Sequence, residues 1–362
     1  MLSRRVRQTS VRAASAWLAR AGLGQAALIS TGLCSGCSSD SSTPVDPGPV
    51  APTWQIVEPS LDAALLSVWG TSADDVWSAG ADVGDGSGPL VLHFDGASWT
   101  RQETGAAGDL WWAHGFVSGP VYFGGAGGVI LRWQGGVFTP MSTPGTGTVF
   151  GIWGDNPDDV WPVGGAPGGG QGAFAWRLDS NADQWLPAPG FPEDLARSDA
   201  LWKVYGHGAD DVWMVGTGGK ALHWDGLRLT PSFTGQAESL FTVHANSTHF
   251  AAVGGFVSGL LLEREISAPA DAPWLDASPE GAQGLVGVCL TEAGGYAVGQ
   301  YGYIAQRDAD GWHEEDTGLM LEFGTRSLHS VWVDPEGGAW SVGGNVLVEP
   351  LVDGILLHKP AP

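Results

Sequence analysis

Short apolar runs, each stopped by glycine, recur along this chain at a steady interval. "SVWG" at Val68, "WAHG" at Ala113, "GIWG" at Ile152, "KVYG" at Val204, "TVHA" at Val243, "GVCL" at Val288 and "SVWV" at Val331 carry the same phrase, 39 to 52 residues apart. Runs of four to six residues rich in Val, Trp and Tyr and bounded by Gly or Asp predict strands and exclude long helices. The plan is plainest from Leu201 to Pro231. A first strand ends at Tyr205, a polar turn carries Asp210 and Asp211, and a second strand, Val212 to Val215, stops at Gly216. A third strand runs from Lys220 to Trp224, and Asp225-Gly226 turns the chain tightly into a fourth.

A sheet of four short antiparallel strands cannot bury both its faces alone, so seven of them predict a ring. The expected fold class is all-β, a seven-bladed β-propeller of four-stranded antiparallel blades. The seventh repeat supplies only three strands, "LHSVW", "GAWSVGG" and "GILLHK". Ahead of the first repeat, "TWQIVEP" (Thr53 to Pro59) matches the fourth-strand phrase "SWTRQET" at Ser98. The N-terminal strand is therefore expected to complete the last blade, giving one propeller domain over residues 53–362. The phrase Asp-Asp-Val-Trp, at Asp74-Asp75, Asp158-Asp159 and Asp210-Asp211, falls between first and second strands. There it reads as architecture: Asp bonds its own backbone in the turn, and Trp77, Trp161 and Trp213 fill the gaps between blades.

"HFDGASW" at His93 to Trp99 and "RDADGWHEED" at Arg307 to Asp316 resemble Asp-box (bacterial neuraminidase) repeats. The wider rhythm of apolar first strand, Gly-closed second strand and "DG" turn before Trp resembles seven-bladed propellers of the photosystem II assembly-factor type. That resemblance implies a propeller with protein or glycan contacts and transfers no activity. WD repeats fit less well, since Trp224-Asp225 is the only Trp-Asp pair and its Asp belongs to the final hairpin.

Residues 1–37 read as a targeting segment: five arginines and no acid, then the apolar stretch Ala21 to Cys34, too short for a stable span. The ending "LCSGCSSDSS" resembles a bacterial lipoprotein signal, which implies acylation of Cys37 and, with Ser38 following it, an outer-membrane destination. Ordinary signal-peptidase cleavage without lipid is the alternative, and "SRRVR" at Ser3 leaves the export route open between general and twin-arginine secretion. Residues 38–52 are a Ser/Pro/Asp tether with nothing to bury.

Composition narrows the chemistry. Beyond the leader the chain has 11 basic against 39 acidic residues, which argues against nucleic acid as a partner. No G-x-S-x-G elbow, H-E-x-x-H or phosphate loop occurs. A sialidase needs convergent arginines; by the repeat alignment only Arg197 and Arg326 lie in loops that reach a pocket. Asp82 and Asp85 in "DVGDGSG" are candidate calcium ligands, with a solvated turn as the alternative. Cys289, in an apolar strand, reads as an inert buried thiol.

Alternation along the first strands divides the axial residues into two sets. Leu66, Val68, Phe150, Ile152, Trp202, Val204, Phe241 and Val243 form an apolar one. The other is mixed and supplies the candidate ligand-binding residues Trp112, His114, Lys203, Tyr205 and His244: aromatic rings to stack on a sugar or peptide side chain, with polar groups beside them. Packing and hydrogen bonding between blades is the competing role for the same residues. The sequence thus points to an exported, lipid-anchored binding or assembly scaffold in the cell envelope, with a protein or glycan ligand and no enzymatic activity. An Asp-box-type glycoside hydrolase or lyase, and a purely structural envelope protein, are the alternatives.

Overall fold

The computed structural model describes residues 52–166, 172–197, 199–269 and 271–362. The leader with Cys37, and the tether as far as residue 51, lie outside them. Within them are seven four-stranded antiparallel sheets. Blade 4 shows the plan: Leu201–Gly208, Asp211–Gly216, Lys220–Trp224 and Leu229–Phe233, in that order from the axis outward. Each first strand packs against the first strand of the next blade, and that of blade 7 (Ser327–Val333) against that of blade 1 (Leu65–Ser72), so the sheets form a closed ring.

The last blade closes as the sequence predicts. Its fourth strand is Gln55–Ala63, paired antiparallel with Val352–Lys359, Gln55 opposite His358. The strand reaches four residues beyond Pro59, its register interrupted at Glu58 and Leu61. Trp54, 3% exposed, anchors the entry: its indole nitrogen donates to Glu315 at 3.1 Å and its ring meets Tyr296 edge-on. Lys359 pairs with the same Glu315 at 2.6 Å, which ties both strands of the closing pair to blade 6.

The two aspartates of the repeated phrase have different tasks, and neither bonds its own backbone as expected. The turn amides of Asp74 and Asp158 donate instead to Ser72 and Asn156, two residues earlier. The first aspartate packs over the hairpin joining third and fourth strands: a Cβ on Gly96 would sit 2.8 Å from Asp74 Oδ1, and one on Gly226 2.8 Å from Asp210 Cβ. These glycines also hold φ near +88° and +85°, so two constraints select glycine there. The second aspartate reaches the third strand. Asp75 and Asp211 bond His93 and His223 at 2.8 Å, and Asp159 takes a bidentate Arg177 at 2.7 and 3.0 Å. Each cation-capable side chain then lies on the tryptophan of the phrase. His93 stacks on Trp77 at 4.1 Å, His223 on Trp213 at 4.4 Å, and the Arg177 guanidinium lies 4.8 Å from the Trp161 ring. Trp77, Trp161 and Trp213 are at most 1% exposed, and Trp77 packs into the next blade against Leu110, Val121 and Phe123. The Asp-Trp-His unit therefore wedges blades apart at a fixed angle.

Candidate functional site: two stacked axial cavities

Every first strand carries an irregularity at the same place. Register shifts separate Leu65 from Ser67, Leu110 from Trp112, Val149 from Gly151, Leu201 from Lys203, Leu240 from Thr242, Leu285 from Gly287 and Leu328 from Ser330. One extra residue in a strand breaks the two-residue alternation. The sequence-derived division into an apolar and a mixed face consequently fails at this point, and the axis holds two cavities of different composition.

The inner cavity, about 120 Å³, includes Trp112, His114, Tyr205 and His244 from the candidate set, but also Val68, Ile152, Val204 and Val243 from the apolar one. Its side chains join neighbouring blades. The Gly154 amide of blade 3 donates to His114 Nε2 at 3.1 Å, and the Leu290 amide of blade 6 to His244 Nδ1 at 3.1 Å. Where the equivalent residue is tryptophan, its ring lies on a glycine of the next blade: Trp332 on Gly70, Trp69 on Gly115, Trp153 on Gly206. A Cβ on Gly206 would meet the Trp153 ring at 2.4 Å. Burial pushes the imidazoles of His114 and His244 down to about 4 and about 3, so both are neutral at pH 7. Tyr205, its ring 4.0 Å from His244, is held above the usual phenol range, and the Cys289 thiol is pushed up to about 12, both by burial. The thiol is thus buried, as its apolar strand predicted.

The outer cavity, about 160 Å³, opens on the face formed by the loops between blades and between second and third strands. Trp111, Phe150, Trp202 and Phe241 form its wall, each at the extra residue of its strand. Phe256 and Leu347, 54% and 45% exposed, stand at the mouth. Gln300 donates to the Phe256 carbonyl at 2.8 Å and fixes that loop. The two cavities share only Thr242. Val68, Ile152, Val204, Val243, Val288 and Val331, none more than 6% exposed, line the inner cavity and not the outer one. The outer cavity is therefore a blind funnel.

Lys203 belongs to the funnel and not to the cavity of its fellow candidates. It is 4% exposed, its ammonium donating to the Phe150 carbonyl at 2.8 Å and lying 4.4 Å from the Trp112 ring. Among the described residues no carboxylate pairs with it, and burial pushes it down to about 7. The other titratable group of the funnel, His329, donates from Nδ1 to the Leu66 carbonyl at 2.5 Å and is pushed down to about 3 by burial and by Lys203. Trp202 adds an indole nitrogen with no hydrogen-bond partner. His329, Gln300, Phe256 and Trp111 escaped the sequence reading. Four aromatic residues, Trp111, Phe150, Trp202 and Phe241, each two places before the aligned position of Val204, were the available signal.

The other candidates lie elsewhere. Asp82 accepts from the Gly84 and Gly108 amides, and Asp85 from the Ser87 amide and hydroxyl. Among the described residues no group of three His, Cys, Asp or Glu side chains is placed to hold a metal. Arg326 bonds the Phe323 and Pro59 carbonyls, and Arg197 lies exposed near Glu193. Neither lines an axial cavity.

No protein-family profile matches the sequence, and a search of curated proteins finds no match. Solved structures do match, over most of their own length. YCF48 from Cyanidioschyzon merolae is 14% identical, with a TM-score of 0.62 over 85% of this chain and 98% of that one. A structure of YCF48 bound to D1 peptide is 12% identical, with a TM-score of 0.61 over 86% and 97%. The WD40 β-propeller domain of Doa1 is also 12% identical, with a TM-score of 0.62 over 84% and 96%. At such identities the likeness is one of fold, shared equally by two kinds of propeller: the chain is a seven-bladed β-propeller.

Proposed function

We propose that this propeller is a binding scaffold that captures a segment of a protein partner by seating one large apolar side chain in the axial funnel. The observation that carries this reading is the blind, aromatic-walled cavity with exposed Phe256 and Leu347 at its mouth, next in sequence to exposed Val257 and Val348. A desolvated pocket surrounded by an apolar rim is the form that anchoring sites at protein interfaces take. Its volume suits a side chain better than a glycan, which needs a longer open groove. The structure of YCF48 bound to D1 peptide supports the same use of the fold in another protein.

Catalysis fits the axis poorly. His114 and His244 accept backbone amides and are held neutral by burial, which leaves them as joints and not as acids or bases. The lipoprotein-like ending at Cys37 supports anchorage in the cell envelope. Selection of phage-displayed random peptides tests the scaffold reading. Enrichment of sequences with a Leu, Phe or Trp anchor is expected on the wild type and is lost on Trp202→Ala/Phe241→Ala. Equal enrichment on both proteins overturns the funnel as the site, and turnover of a fluorogenic glycoside panel favours the hydrolase. For the anchor, Cys37→Ala is expected to move the protein from the membrane to the soluble fraction; unchanged fractionation contradicts lipidation.

A further inference from the structure

The proposed occupant leaves one group without a role. Lys203 is a nearly inaccessible cation on the funnel wall with a single hydrogen bond, to the Phe150 carbonyl. An ammonium has three N–H donors, and one carbonyl at 2.8 Å and the Trp112 ring face at 4.4 Å do not engage all of them. Burying a charge without a counter-ion is costly, and in a chain with 39 acidic residues the absence of a paired carboxylate is not for want of supply. The unpartnered indole N–H of Trp202 lines the same wall. Both residues line the outer cavity, whose other polar side chains, Thr242, Gln300 and His329, each already bond a backbone carbonyl.

We propose that the funnel reads a free carboxylate at the end of an apolar peptide segment, with Lys203 as the group that recognises the charge and Trp202 as a second donor. This rests on the peptide-capture reading and specifies its ligand. A blind cavity admits a chain end and not a chain passing through. A volume of about 160 Å³ holds one side chain with its terminal carboxylate. The carboxylate supplies the missing counter-ion, and the last side chain meets Trp111, Phe150 and Phe241. Among the described residues the only other titratable group on the funnel wall is His329, which stays neutral across the physiological range, so the pH response belongs to Lys203. Free Lys203 carries its proton below about 7 and loses it above; preference for an anion is therefore strongest on the acid side and fades as pH rises.

The test uses acetyl-Gly-Ser-Gly-Leu-Phe as the free acid and as the C-terminal amide, titrated into the tethered propeller by calorimetry. At pH 6 the acid is expected to bind at least ~10-fold more tightly than the amide, the scale of one charge-assisted hydrogen bond, and the ratio should shrink steadily towards pH 8.5. In Lys203→Met the ratio should fall below about twofold, with amide affinity retained and the melting transition intact. Acid and amide binding alike to the wild type at pH 6 overturns the carboxylate reading and leaves peptide capture standing. No binding of either peptide overturns both. A preference that survives in Lys203→Met, or that grows with pH, shows that another group reads the charge. Hexanoate binding as tightly as the peptide acid overturns the peptide as source of the carboxylate.

Discussion

The two cavities on the axis share six of their first strands and draw on residues one or two places apart in each, yet they treat their polar atoms differently. In the inner one His114 and His244 each take a backbone amide of the next blade, and the tryptophans lie on the next blade's glycines. In the outer one an ammonium and an indole nitrogen remain underused beside exposed Phe256 and Leu347. The same residue types mark a joint in one place and a receptor in the other. What separates them is whether donors are left over: Lys203 reaches the neighbouring blade with one N–H, and the Trp202 indole N–H has no partner.

Substitutions should part the two cavities clearly. Trp153→Ala, which empties the contact on Gly206, is expected to cost about 3–5 kcal/mol by loss of a buried indole, read as a large drop in melting temperature. Trp202→Ala, at the partly exposed wall, should cost at most about 1–2 kcal/mol while abolishing peptide binding. Similar losses from the two would erase the distinction between joint and receptor.

Acid offers the next test. His114, His244 and His329 are neutral in the fold, with values pushed well below the ordinary 6.5, so the unfolded chain binds more protons as pH falls from 6.5 towards 4. Folding is therefore expected to weaken steadily over that window and to be insensitive to these groups above it. Urea midpoints measured at pH 7, 5.5 and 4.5 check it, and His244→Gln should flatten the slope. A midpoint that holds level from pH 7 to 4.5 would contradict the buried joints.

Lys203 should give a smaller effect of opposite benefit. Its folded value, about 7 against an ordinary 10.5, means that wild-type stability rises with pH between those limits and that the charge is a burden below 7. Lys203→Met is expected to melt a few degrees higher at pH 6 with the carboxylate preference gone. A lower melt would mean that the lysine is a structural member after all. Least of all, Asp82→Asn with Asp85→Asn, in a solvent-exposed loop, should shift stability by no more than about 0.5 kcal/mol, and added calcium should not raise the wild-type melt; a calcium-dependent rise would restore the metal site.

The ring was legible because its evidence is repeated: seven strand phrases, three Asp-Asp-Val-Trp turns and a spare N-terminal strand all demand the same closure. The sites were less so. Trp112 and Lys203 do meet, ring against ammonium, but alternation assigned Lys203 to the cavity of His114 and Tyr205. The extra residue in each first strand is a backbone event with no composition of its own, and it turns Trp111, Phe150, Trp202 and Phe241 outward together. Phe256 and Gln300 come from loops whose inward fold depends on a hydrogen bond between blades, which no local pattern encodes.

The seam in the last blade sets a condition on how the protein is made. Gln55–Ala63 emerges before every other strand of the propeller, but its partner Val352–Lys359 emerges after all of them. No earlier segment offers that strand its register, so a growing chain stays an open arc whose first and seventh sheets are exposed at their facing sides. Completion and closure are thus one event, and a product interrupted before Val352 is marked as unfinished by its own shape.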